Sequence, residues 1–365
     1  MERAELHLHT KLSDDVSVID PTEALEFAIA HSHKAIAFTN LENVQDFPAI
    51  VHAYKRCGDL NLKVIYGTEL LYMSEDGNMP YGITILSKNQ LGIKELYTII
   101  SSITSDGIYH LANLDVIKQN CNNLLIGSCG NMGELYNAMA HGRNPEKIAK
   151  FYDYFEIYPT EDEQERAIYK KIYELGSKLG IPVAATGNCH YLNQEDEICR
   201  RVIRIVNGCE YNPKKLFYHT TDEMLAEFSY LGEDEAYESV VTNTNKIADL
   251  ITRVTPLNEN FYPPVMENAY EQIQDLAYAK AKEIYGMILP VPIGERLKTE
   301  LKYIQKSENA VYYWIAYRMV KHNDRFRSLC RYSRLDRFIV RGISFSDFRY
   351  QSFAASLLLP SISLY

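Results

Sequence analysis

Glu5-Leu6-His7-Leu8-His9-Thr10, with Asp14-Asp15 close behind, is the stretch on which the reading of this chain turns. Its alternation of apolar and polar residues predicts a β-strand. Residues two apart in a strand point to the same face, so His7 and His9 can converge on one metal ion at the strand's C-terminal end. A carboxylate from Asp14 or Asp15 can join them. Imidazole and carboxylate together suit zinc, manganese or iron. A strand this near the first residue reads as the opening strand of a domain, where barrel enzymes place site residues. The competing reading is a pair of surface histidines at a strand edge, which spacing alone leaves open.

Outward from that strand, short β-like runs alternate with amphipathic helices for about two hundred residues. The strands predicted are Ala4–His9, Ala35–Thr39, Lys63–Leu71, Gly82–Ser87, Leu124–Ser128, Tyr154–Ile157 and Val183–Thr186. The first helix has a clear start, with Asp20 as N-cap, Pro21 in the first helical position and Glu23 three residues on. Further helices are predicted over Phe47–Cys57, Gln90–Thr104, Pro145–Phe151 and Glu161–Leu179. Such alternation argues for an α/β fold, either a parallel sheet or a barrel. After about Ile205 the strand signal fades, and Asp222–Phe228, Glu233–Ile251, Glu271–Tyr285 and Arg296–Ser307 read as helices. Turn-rich segments around Asn207–Pro213, Thr255–Pro264 and Leu289–Pro292 separate them.

Composition narrows the class. A chain of 365 residues with 46% apolar content is an ordinary globular protein of about two domains. It holds no run of eighteen apolar residues and no basic-then-hydrophobic leader, so the expectation is a soluble cytoplasmic protein without a membrane partner. Seven cysteines without a CxxC pair argue against a disulfide framework and a zinc ribbon. A formal net charge of −10, with no long basic stripe before residue 323, disfavours autonomous DNA binding. Arg200, Arg201 and Arg204 cluster after the last predicted strand; a phosphate contact and a solvated helix face are both open there. His31 and His33 close a helix, where a spacing of two diverges, and the 28 tyrosines read as packing.

Several blocks together resemble a known family. They are Glu5–Thr10, Lys34–Thr39, Val64–Glu69, Val44–Pro48, Leu124–Ser128, Phe151–Tyr154 and Ala185-Thr-Gly-Asn-Cys-His-Tyr-Leu192. The chain resembles the PHP (polymerase and histidinol phosphatase) domain, most nearly as it occurs in the PolC-type DNA polymerase III α subunit. The likeness continues through Thr220–Leu225, Phe228–Gly232 and Ala281–Gly286, and covers about residues 3–322. It implies a distorted seven-stranded (β/α) barrel over residues 1–205, with no exonuclease inserted because Asp76–Pro80 bridges that point directly. It also implies an α-helical connector over 206–322, leading toward a polymerase palm that lies beyond this chain.

The resemblance also implies a site. His7, His9, Glu69 and His190 fall on metal-ligand positions, and Asp14 or Asp15 can supply the first-loop carboxylate, although the family aspartate aligns with Val16. Other positions depart from the pattern. Thr39-Asn40-Leu41 stands where an acidic and an imidazole ligand are expected, Gly82 replaces a histidine and Gly130 a cysteine. Cys129 is one place off and is expected to face the other way. Asn188 stands where some relatives carry aspartate. This set suits one divalent ion (zinc, manganese or iron) and falls short of the paired ions that phosphoester hydrolysis commonly uses. The parent family extends primers with dNTPs in a magnesium-dependent palm, with DNA and replisome subunits as partners. The expectation for this chain is a nucleotidyltransferase relative that is itself inactive. The alternatives are a stand-alone metal-dependent phosphoesterase and a non-catalytic scaffold.

From Asn323 the composition changes: the last 43 residues hold seven Arg, no Lys and no Glu. Arg331–Arg341 and Tyr350–Leu359, reverse-translated and read one base later, can give strings resembling the palm of PolC-type polymerases. The segment 323–365 therefore reads as an out-of-frame tail, expected to be removed by limited proteolysis near Arg325–Arg334.

Overall fold

The structure is a computed structural model that describes residues 2–13, 16–58, 61–74, 79–105, 110–208, 215–257, 264–307 and 309–322. The tail 323–365, Asp14 and Asp15 lie outside the described residues. Two compact units divide the chain, residues 1–258 and 259–365.

In the first unit the strands are β1 (Ala4–Leu8), β2 (Ala35–Phe38), β3 (Lys63–Met73), β4 (Pro80–Ser87), a small pair β5 (Thr104–Ser105) and β6 (His110–Leu111), then β7 (Leu124–Gly127), β8 (Phe155–Ile157) and β9 (Val183–Ala185). Five of them form one sheet in the order β1-β2-β3-β4-β7, and β8 pairs with β9. Two parallel bridges join the pieces, Gly127 to Tyr154 and Leu8 to Cys189. The second is fastened by His9 N–H to the Cys189 carbonyl at 2.9 Å and Cys189 N–H to the His7 carbonyl at 3.0 Å. Seven strands thus close into a distorted barrel. Each expected strand is present; most stop a residue short, while β3 and β4 run on because Met73 pairs with Pro80 across a direct hairpin. That hairpin is also the distortion. β4 is antiparallel to β3, as a hairpin without a crossover helix requires, and this reversal makes it antiparallel to β7 as well.

The helices of this unit are α1 (Pro21–Ala30), α2 (Phe47–Cys57), α3 (Gln90–Ser101), α4 (Leu114–Gln119), α5 (Glu134–Ala140), α6 (Pro145–Ala149), α7 (Glu163–Leu179), α8 (Glu197–Val206), α9 (Thr221–Glu227), α10 (Glu233–Tyr237) and α11 (Asn243–Asp249). Their boundaries follow local chemistry. The Asp20 carboxylate accepts the Thr22 N–H at 2.8 Å to start α1. Asp162 does the same for α7, which ends at Gly180 with φ 71°, a conformation that glycine adopts at no steric cost. The helix expected over Glu233–Ile251 is interrupted by a π-turn at Glu238–Thr242. There the buried Thr244 hydroxyl donates back to the Val240 carbonyl at 2.7 Å, which competes with the helical ladder.

Two inner layers explain where the site lies. Ala4, Leu6, Ala37, Ile65, Leu86, Leu125, Tyr154 and Ala184 form a buried apolar cluster joined by Ile247, Ala248 and Ile251 of the α11 region. Two residues further toward the opposite end of those strands, on the same faces by strand alternation, stand Thr39, Gly67, Thr84, Gly127, Glu156 and Thr186. One end of the barrel is therefore apolar and the other polar. β1 reaches both layers because its pairing register shifts between Glu5 and Leu8. Outside, α1, α2, α3 and α7 pack on the larger cluster that contains Leu25, Ile50, Leu96 and Ile172.

The second unit holds α12 (Ala269–Tyr285), α13 (Val291–Lys306) and α14 (Ala310–His322). Ile273, Ala277, Leu297, Leu301 and Ile304 make its own small core. No described helix is long and apolar enough to cross a membrane.

Candidate metal centre

His7 and His9 leave β1 on the polar layer and meet Glu69, which β3 brings from the neighbouring wall. Among the described residues these three form a buried cluster of ligand-type atoms. The two imidazole Nε2 atoms are 3.1 Å apart. Glu69 Oε2 lies 3.1 Å from His7 Nε2 and 3.0 Å from His9 Nε2. Donor atoms each about 2.0–2.2 Å from one cation sit about 3 Å from one another when bond angles are near 90–100°. The triangle is thus the size that a single transition-metal ion requires, and the donors present fit one.

The far nitrogens are held as well. His7 Nδ1–H donates to Glu156 Oε2 at 2.8 Å, and His9 Nδ1 bonds Ser13 Oγ at 3.0 Å. Such partners orient an imidazole and raise its basicity as a ligand. Glu156 is steadied by the Thr186 hydroxyl at 3.1 Å and the Tyr158 hydroxyl at 3.3 Å. Burial alone would lower the His7 pKa, but the Glu156 and Glu69 carboxylates outweigh it and raise it to about 10. Burial likewise pushes Glu69 up, and its hydrogen bonds to His7 and His9 bring it well below the usual carboxylate range. An imidazolium at His7 therefore balances the buried carboxylates, in the place where a metal would supply positive charge.

His190 lies beside this triangle. Its ring stacks on His9 with centroids 4.4 Å apart and planes at 9°, and its Nε2 bonds Asn188 Oδ1 at 3.1 Å. Asn40, where an acidic ligand was expected, serves the backbone: its Oδ1 accepts the Thr10 N–H at 2.7 Å. Val16 offers its carbonyl to Arg200 Nε at 2.7 Å. That bond accompanies the burial of Arg200, while Arg201 is exposed and Arg204, one turn further along the same helix, is half-buried.

The expectation for Cys129 is overturned. Its Sγ faces inward and donates to Glu69 Oε1 at 3.3 Å. Strand alternation ends at Gly127, and Cys129 takes a left-handed φ of 56°, which turns the sulfur into the barrel. A Cβ at Gly82 would come within 2.7 Å of that sulfur, and one at Gly130 within 2.4 Å of the Tyr158 ring. The two vacated ligand positions are thus filled by Cys129 and Tyr158. Gly82→Ala alone will cost about 1–3 kcal/mol by overpacking, and Cys129→Ala in the same chain will recover most of it. A double-mutant cycle in urea checks this, and strictly additive losses would contradict the packing.

Glu156 was not anticipated. The available signal was a carboxylate in the middle of the otherwise apolar Phe155–Ile157 strand, since a fully buried glutamate needs a partner.

Residues 5–163 match the PHP domain family. This stretch is a PHP domain. The chain is 39% identical over 258 residues to the PolC-type DNA polymerase III of Clostridium perfringens, covering 65% of this chain and 18% of that protein. It is 38% identical over 263 residues to the PolC-type DNA polymerase III of Staphylococcus aureus, covering 66% of this chain and 18% of the relative. The PHP domain here is thus of the PolC type, and the chain spans less than a fifth of the length of these relatives. A structure described as a metal-dependent phosphoesterase from Bifidobacterium adolescentis overlaps at a TM-score of 0.36 and 12% identity, over 62% of this chain and 96% of that one. A likeness of that size says nothing about chemistry.

Proposed function

We propose that this chain is the N-terminal part of a replicative DNA polymerase III α subunit of the PolC type, in which the PHP domain is a metal-binding structural element and not a hydrolase. The identity with two PolC-type polymerases supports the first half. The observation that carries the second is the single compact donor set among the described residues, with Cys129 and Tyr158 packed against the two glycines where further ligands would stand. His7, His9 and Glu69 would hold one divalent ion, with His190, Asp14 or Asp15 as further ligands. The ion would supply Lewis-acid charge, whereas hydrolysis by paired metals clamps both the attacking and leaving oxygens. Around it, Glu156 and Ser13 orient the imidazoles and Tyr158 excludes water. Residues 206–322 act in this reading as the connector toward a palm, whose magnesium chemistry, DNA and replisome partners belong to the whole polymerase in the cytoplasm.

The test is hydrolysis of p-nitrophenyl phosphate with manganese or zinc, beside primer extension on a primed template with magnesium and dNTPs. Neither activity is expected. Turnover abolished by His7→Ala would favour a stand-alone phosphoesterase, and extension by this chain would place palm chemistry within it.

A further inference from the structure

A second polar feature lies among the barrel's outer helices, with chemistry unlike that of the metal centre. Between the loop after His9, the start of α1 and the face of α2 opens a cavity of about 600 Å³, lined in part by Lys11, Asp20, Thr22, His52, Lys55 and Arg56. Three fixed cations meet one carboxylate there, in a chain whose formal net charge is −10. The local excess runs against the composition. Asp20 is already committed: its Oδ2 pairs with Lys11 Nζ at 2.5 Å and its Oδ1 accepts the Thr22 N–H at 2.8 Å. With that amide capped and no N–H on Pro21, the attraction for an anion comes from the side-chain cations and owes little to the helix terminus.

Lys55 and Arg56 stand in the last turn of α2, where they complement its dipole. That role alone does not bring Lys11 across from them, and His52 stands one turn earlier on the same face of α2. Arg56 Nη2 donates to Thr22 Oγ1 at 3.3 Å, which sets the guanidinium against the cavity wall. A planar guanidinium beside a hydroxyl and two ammonium groups is a phosphate-binding chemistry. The volume falls within the range of about 300–1,000 Å³ typical of small-ligand sites, and Pro21 and Ala49 add an apolar wall.

We propose that this cleft binds the phosphates of a nucleotide-sized ligand, through Arg56, Lys55 and Lys11, with the apolar wall facing its organic part. The site is separate from the metal centre, and its test is arranged so that the two readings fail independently. Calorimetric titration of the full chain is carried out in EDTA, so that no metal links the ligand to His7 or His9. The probes are inorganic pyrophosphate and dATP. Both will saturate one site, with dATP the tighter, and affinity will fall between about 50 and 200 mM salt. Lys55→Ala with Arg56→Ala will weaken both probes by about tenfold or more while the chain stays folded at the titration temperature, as its circular dichroism will show. Arg56→Lys will keep part of the affinity. No saturable binding at millimolar probe, equal binding by the Lys55→Ala/Arg56→Ala chain, or pyrophosphate binding more tightly than dATP would overturn the assignment.

Discussion

Dialysed against zinc or manganese and then freed of excess, the chain will retain about one ion, and His9→Ala will retain almost none. The three ligand-type atoms lie 3.0–3.1 Å from one another in a buried site, and removal of one breaks the compact donor set. Loss of an orienting partner alone costs roughly 10–100-fold in affinity, so loss of a direct ligand will cost more. At a hundredfold excess over Kd, the ion adds about 2.7 kcal/mol to the folded state. For a unit of this size that raises the thermal midpoint by roughly 5–10 °C, and His9→Ala will abolish the rise. Elemental analysis and melting with and without EDTA provide the check. Two or more tightly held ions per chain would contradict the single-ion reading.

Metal binding will also release a proton. His7 carries one in the metal-free site, because its pKa is raised to about 10, and the ion needs the bare Nε2. Affinity will therefore climb as pH rises toward that value and fall in acid. Titration in buffers of different ionisation enthalpy will report close to one proton released per ion at neutral pH.

The second large effect belongs to Asp46, at the start of α2. It is 1% exposed. One carboxylate oxygen accepts the Thr10 hydroxyl at 3.3 Å, and the other has no side-chain or backbone partner among the described residues. Burial raises its pKa from 3.8 to about 7, against a smaller opposing pull from Thr10. Since the folded value lies above the unfolded one, the native state binds the extra proton between them. The contribution of Asp46 to stability is therefore most favourable below about pH 4 and declines as pH rises through 7. A shift of about three units corresponds to roughly 4 kcal/mol. Asp46→Asn, which keeps the shape without the charge, will be the more stable protein at pH 8 by a few kcal/mol and will lose the decline between pH 5 and 8. Urea unfolding of both proteins at the two pH values measures this. Parallel pH profiles would show that the carboxylate is not penalised.

Much of the barrel was legible because its signals are local. The runs Ala35–Phe38 and Leu124–Gly127 are apolar stretches of strand length between turns, and the Asp20-Pro21 start of α1 is a cap chemistry that needs no tertiary partner. The helix break at Glu238–Thr242 was not legible, since Thr244 bonds back to Val240 only where burial removes water as a competitor. In the site, His7 and His9 were readable from a spacing of two, because both follow the register shift and stay on one face. Cys129 was misread because alternation ceases with the strand, and a single left-handed residue then decides where its sulfur goes.

By itself the sequence determined the order of the seven barrel strands and of the longer helices, the α/β class, the PolC-type PHP resemblance and the histidine pair at the end of β1. Those depend on periodicity, caps and short motifs, which are properties of neighbouring residues. Closure of seven strands into a barrel was decided only in three dimensions, since it rests on bridges such as Leu8 to Cys189 across 180 residues of chain. So were the Glu156 carboxylate behind His7, the sulfur filling the space beside Gly82 and the burial of Asp46. Each of these depends on which distant side chain comes to occupy a given volume, and on the water that its arrival excludes.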